Sequence, residues 1–134
     1  MVIRAALDHI VLTSRDVERS LTFYIDVLGF EPYRVDAWRR GEIPFPSVRL
    51  GPESIIDLLP PEFWNGDDAA DGGKNLHHFC VAIDAGDWSG VEKRLAEAGV
   101  ATTGPMTLHG ARGDATAFYL TDPDDNQLEI RTYD

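Results

Sequence analysis

Four side chains able to hold a cation or move a proton stand at matching places in the two halves of this chain. They are His9 and Asp57 in the first half, and His78 and Glu129 in the second. His78 follows His9 by 69 residues, and Glu129 follows Asp57 by 72. Gly99, a helix-stop glycine, follows Gly29 by 70. Three landmarks in one order at nearly one offset suggest an internal duplication. Two imidazoles with one or two carboxylates form a common ligand set for a divalent metal. A carboxylate beside such a site can also act as a proton-transfer base. A strand histidine taken singly is more often a hydrogen-bonded structural residue, so the reading turns on whether the four share a face.

The elements that must position them follow from periodicity. "LDHIVLTS" (7–14) alternates and is β-branched, which predicts a strand. In "RDVERSLTFYIDVLGF", Val17, Leu21, Tyr24, Ile25 and Leu28 fall on one helical stripe, with Asp16 as N-cap and Gly29 as stop. "EPYRVDAW", "PSVRLG" and "SIIDLLP" predict three short strands. Residues 60–75 are rich in Pro, Gly and Asp and predict a long loop. The order then begins again. "LHHFCVAI" is a strand and "DWSGVEKRLAEAG" a helix, followed by strands in "VATTG", "ATAFYLTD" and "NQLEIRTY". The prediction is two βαβββ modules, residues 5–60 and 76–134, joined by a linker at 61–75 within one domain of 1–134.

Successive strand side chains point to opposite faces. Ile10 and Leu12 mark the helix side of the first strand, which puts His9 on the other. By the same parity Ile56 and Leu58 oppose Asp57, Phe79 and Val81 oppose His78, and Leu128 and Ile130 oppose Glu129. All four groups are predicted on the non-helix faces. His78 shares its face with the small Cys80 and Ala82, which leaves room in a concave surface. His77 falls on the helix side at a strand end, where a solvated or capping role fits it.

Composition narrows the classes of function. A net charge of −11, from 23 acidic against 12 basic residues, repels nucleic acid and anionic membranes. One cysteine, Cys80, excludes an intrachain disulfide and a Cys-x-x-Cys zinc motif. The start of the chain does not look like a signal peptide, and no apolar stretch is long enough to cross a bilayer. The expectation is a cytoplasmic protein.

Three segments carry a family resemblance: "LDHIVLTSRDVERSLTFYIDVLGF" (7–30), "HHFCVAID" (77–84) and "AFYLTDPDDNQLEIR" (117–131). Together they resemble the vicinal oxygen chelate superfamily, the glyoxalase I, bleomycin-resistance and extradiol dioxygenase group. The resemblance implies an α+β fold of two βαβββ modules forming an open, barrel-like mixed sheet around a metal. It implies one divalent ion (Zn, Ni, Fe, Mn or Co) held by His9, His78 and Glu129. Some members carry a further ligand near Asp57, where the residue is typically Glu or Gln; Asp57 is one methylene shorter. Asp125 stands where the family usually has glycine.

The resemblance implies a homodimer acting on a small molecule. The expected activity is that of a glyoxalase-like lyase or isomerase on a vicinally oxygenated substrate, with Glu129 or Asp57 as base. An Fe(II) extradiol-type dioxygenase and a non-catalytic, bleomycin-resistance-type binding protein are the alternatives. Arg49, Arg112, in the "HGARGD" loop, and Arg131 are candidate anion-binding groups. Tyr119 is a candidate substrate donor or, equally, a barrel-filling aromatic.

Overall fold

The computed structural model describes residues 2, 6–64, 76, 78–110 and 112–133. The chain divides into two compact units, 1–26 with 30–70, and 27–29 with 71–134. Most of the predicted linker, residues 65–75, and His77 lie outside the described residues.

In the first unit the alternating segments become β1 (His9–Thr13), β2 (Glu31–Tyr33), β3 (Ser47–Gly51) and β4 (Ser54–Leu59). Their order in the sheet is β1-β4-β3-β2, with β1 parallel to β4 and the other pairs antiparallel. The apolar face carries the buried Leu12, Val48, Ile56 and Leu58. The first helix, α1 (Val17–Leu21), starts where Asp16 accepts the Arg19 N–H at 3.1 Å. Five residues cannot hold a helix alone in water. Burial of Val17 and Leu21 supports it, at about 1.5–3 kcal/mol for each large apolar side chain.

The predicted single α-helix widens at Thr22–Val27 into a π-helix. That run, "TFYIDV", consists of weak α-helix formers. Gly29 (φ 82°) stops it, and the Phe30 N–H closes back on the Tyr24 carbonyl at 2.9 Å.

The expected strand "EPYRVDAW" is only half right. Arg34 adopts a left-handed backbone (φ 63°), which ends β2 and starts α2 (Val35–Arg39). Bidentate contacts from Arg39 to Glu18, at 2.9 and 2.7 Å, tie α2 to α1.

The second unit repeats the pattern with β5 (Phe79–Ile83), α3 (Trp88–Glu97), β6 (Thr103–Gly110), β7 (Gly113–Thr121) and β8 (Gln127–Thr132). The sheet order is β5-β8-β7-β6, and β5 runs parallel to β8 as β1 does to β4. Strand pairing closes neither sheet into a barrel. Val91 and Leu95 of α3 are buried, and Trp88 meets the Phe118 ring edge-on at 5.0 Å.

β6 is longer and later than the predicted "VATTG". Its polar Thr and His residues alternate with half-buried Met106, Leu108 and Gly110, a weak pattern easily missed. The expected glycine-rich loop at 109–114 is instead a tight hairpin, with Gly110 paired to Gly113. Among the described residues no helix is long and apolar enough to cross a membrane.

Because α1 is so short, its cap should matter. Asp16→Ala is expected to lower unfolding stability by about 1 kcal/mol, seen as a lower urea midpoint with an unchanged slope. An unchanged midpoint would mean that packing alone fixes where α1 begins.

Candidate functional site

Register decides which side chains share a face. In the first sheet His9 pairs with Ile55 and Ile55 with Arg49, while Val11 and Ser47 flank Asp57. His9, Asp57, Ser47 and Arg49 therefore stand on one face, opposite Leu12, Ile56 and Val48. His9 is about half exposed, and its Nδ1 donates to Asp8 Oδ2 at 2.7 Å. That bond assigns the proton to Nδ1 and makes Nε2 the acceptor nitrogen, the usual arrangement of a ligating imidazole. The Asp8 hydrogen bond, opposed by desolvation and aided by the Asp57 and Asp8 charges, raises the His9 pKa above its ordinary value. Asp57 is buried at 6 % exposure, and the Ser47 hydroxyl donates to its Oδ1 at 2.6 Å. Arg49 lies over the Tyr33 ring at 4.1 Å.

In the second sheet Glu129 pairs with Cys80 on one side and Tyr119 on the other. Arg131 pairs with Ala82 and Ala117. These residues share a face opposite Leu128, Ile130 and Phe118. His78, just ahead of β5, meets the Tyr119 ring edge-on at 5.4 Å. Glu129 and Arg131 are both buried, and the Arg131 Nε and Nη2 lie 3.0 and 2.9 Å from Glu129 Oε2.

Burial alone would raise the Glu129 carboxyl. Hydrogen bonds from Cys80, Arg131 and Tyr119 outweigh it and hold the group below the ordinary carboxylate range. Burial opposes the Arg131 charge too, yet the Tyr133 and Glu129 contacts keep its pKa above normal. Cys80 is solvent-accessible as a residue, but its thiol is crowded by protein atoms. That desolvation, then the Glu129 carboxylate, pushes it up to about 12. The thiol is therefore a neutral donor, not a nucleophile.

The placements divide the sequence candidates. Unit one brings together His9, Asp57 and Arg49; unit two brings together His78, Tyr119, Glu129 and Arg131. Arg112 is exposed at the β6–β7 hairpin, with its guanidinium 4.0 Å over the Tyr133 ring. The three arginines do not form one anion cluster within either unit: Arg49 belongs to the first, and Arg131 is spent on Glu129. Sequence reasoning placed Ser47 and Cys80 on the polar faces without giving them a role at the carboxylates, and missed Tyr133. What parity could not supply is their partners: Ser47 pairs directly with Asp57, and Cys80 with Glu129.

Among the described residues no three His, Cys, Asp or Glu side chains already gather as a metal cage. The donor chemistry nonetheless fits a divalent ion. His9 keeps Nε2 as acceptor, Asp57 has Oδ2 beyond the Ser47 bond, and the Arg131 nitrogens meet Glu129 at Oε2, its other donors, Cys80 and Tyr119, being neutral.

A family model described as the Glyoxalase/Bleomycin resistance protein/Dioxygenase superfamily matches residues 6–130. The chain belongs to that superfamily. Its relatives there carry different names. Virulence protein STM3117 of Salmonella typhimurium is 29% identical, over 95% of this chain and 83% of that protein. The crystal structure of STM3117 aligns with a TM-score of 0.76 at 26% identity, over 99% of this chain and 100% of that one. A probable lactoylglutathione lyase of Synechocystis sp. is 28% identical over 91% of both chains. A catechol-2,3-dioxygenase of Bacillus subtilis is 30% identical, but this chain spans only 38% of its length. Membership in the superfamily therefore leaves the reaction open.

The buried pair sets a stability prediction. Arg131→Met would strand the Glu129 charge and is expected to cost roughly 3–5 kcal/mol in urea unfolding. Glu129 has a depressed folded pKa, so its contribution is full above the unfolded carboxylate range and is lost as pH falls through the folded value. In Glu129→Gln that acid-dependent loss should disappear. Identical acid-unfolding profiles for the two proteins would contradict it.

Proposed function

We propose that this protein is a metal-dependent lyase or isomerase of the superfamily, acting on a small substrate with two vicinal oxygens. The observation that carries the reading is a histidine beside a carboxylate in each unit: His9 shares a sheet face with Asp57, and His78 packs on Tyr119, the cross-strand neighbour of Glu129. The near full-length similarity to a probable lactoylglutathione lyase supports the same class.

His9, His78 and Glu129 would hold one divalent ion (Zn, Ni, Fe, Mn or Co), with Asp57 as base or further ligand. When bound, such an ion acts as a Lewis acid that polarises a carbonyl. The remaining chemistry belongs to the chain. Ser47 fixes Asp57 Oδ1, which leaves Oδ2 to accept the proton from the carbon beside that carbonyl. The C–H electron pair becomes a C=C bond as the carbonyl π pair moves onto its oxygen; Asp57 then returns the proton to the former carbonyl carbon while the proton of the adjacent hydroxyl passes to that oxygen. Arg49, on the same face, can take an anionic group of the substrate. Tyr119 is a neutral donor whose pKa is raised, first by its hydrogen bond to Glu129, so it stays protonated.

The test combines metal analysis with isotope exchange. Wild-type protein purified without added metal is expected to carry about one ion per site, lost in His78→Ala and kept in His77→Ala and Asp57→Asn. Deuterium exchange beside a carbonyl, across a panel of thiohemiacetals, acyl thioesters and catechols, should fall at least tenfold in Asp57→Asn. Stoichiometric oxygen uptake with ring cleavage would instead favour the dioxygenase chemistry, and binding without turnover or metal a carrier role.

The reading includes a homodimer in the cytosol, with no nucleic-acid or membrane partner. Each four-stranded sheet has two edge strands that need cover. A light-scattering mass near twice 14.9 kDa is expected, and a mass near 14.9 kDa at micromolar concentration would reject the dimer.

A further inference from the structure

Arg131 is the most constrained charged group on the face that carries Glu129. It is 4 % exposed, and all three of its nitrogens have acceptors. Nε and Nη2 both reach Glu129 Oε2, Nη2 also donates to the His109 carbonyl at 3.0 Å, and Nη1 donates to the Tyr133 hydroxyl at 3.0 Å. Gly110 gives it room: a Cβ there would run into the Arg131 guanidinium and lie 2.6 Å from the Tyr133 hydroxyl. Tyr133 is held in turn. The Arg112 N–H donates to its hydroxyl at 3.2 Å, and the Arg112 guanidinium covers its ring at 4.0 Å.

An arginine usually meets a carboxylate fork to fork, with one nitrogen on each oxygen. Here two nitrogens converge on one oxygen, Oε2, and the Cys80 thiol and Tyr119 hydroxyl donate to the same carboxylate. We infer that Arg131 is a positioning residue: braced by His109, Tyr133 and the gap at Gly110, it pins Oε2 of Glu129 and sets the orientation in which the carboxylate meets a divalent cation through one oxygen, with the neutral Cys80 and Tyr119 donors giving way. Arg112, through Tyr133, is the outer end of the same brace. The inference rests on the reading that Glu129 serves a metal, and it adds how that ligand is presented.

Two measurements test it. In metal-free protein labelled with 15N-arginine, the Arg131 Nε–H signal should be shifted and protected from exchange. The protection should be lost in Glu129→Gln and reduced in Tyr133→Phe. In the Co2+-loaded protein, labelled with 13C-glutamate and assigned by difference against Glu129→Gln, the Glu129 infrared stretches should be widely separated, the pattern of one-oxygen ligation. Arg131→Met should narrow the separation toward the two-oxygen pattern. Arg131→Lys should not restore it, because an ammonium is a point donor and not a fork. If Arg131→Met does not fold, Tyr133→Phe decides, since it loosens the brace without changing charge.

An unchanged separation in Arg131→Met and Tyr133→Phe would overturn the positioning role and leave the metal reading intact. An unprotected Nε–H in the wild type would overturn the brace itself. A protected Nε–H in a protein that takes no Co2+ would support the brace and remove the metal reading.

Discussion

The parallel pairing of the first and last strands of each module governs where chemistry can occur. β1 lies against β4 and β5 against β8, in registers that put His9 on the face of Asp57 and Cys80 beside Glu129, with His78 packed on the Tyr119 ring next to it. Strand side chains alternate with period two, so a one-residue slip would send every one of these groups to the apolar face. The register is fixed by what lies on that other face. Leu12, Val48, Ile56 and Leu58 in one sheet, and Leu128, Ile130, Phe118 and Leu120 in the other, are buried almost completely. A slip would expose several large apolar side chains at about 1.5–3 kcal/mol each, more than any polar contact on the opposite face could offset.

That division of labour explains why the polar face can hold costly groups. Two carboxylates, Asp57 and Glu129, are buried, and each is tied at one oxygen by a neighbour on its own sheet. Asp57 has a neutral hydroxyl and Glu129 a guanidinium. The first holds one oxygen without bringing an opposite charge to it. The second neutralises most of the charge and fixes direction instead. The two modules thus repeat a backbone plan while giving their carboxylates different electrostatic surroundings, as a base and an oriented ligand would need.

Much of this was legible in the sequence, because alternation and helix stops are local signals. The βαβββ repeat, the Asp16 cap, the Gly29 stop and the parity of His9, Asp57, His78 and Glu129 could all be read from spacing. What escaped has physical reasons. The strand expected through Val35 is broken by a left-handed Arg34, a conformation nothing in its neighbours announces. The π-helix at Thr22–Val27 shares its apolar residues with an ordinary helix. Arg131 reads as a surface or substrate-binding arginine until cross-strand neighbours are known. Only the approach of Gly110 on β6 to Arg131 on β8, around Tyr133, reveals it as a buried brace.

The central proposal is that His9, His78 and Glu129 hold one divalent ion. X-ray absorption at the edge of the metal that copurifies with the protein tests it most directly. The account predicts scattering from two imidazole rings within a first shell of nitrogen and oxygen only. A sulfur shell, which would implicate Cys80, or a shell without imidazole scattering would contradict it.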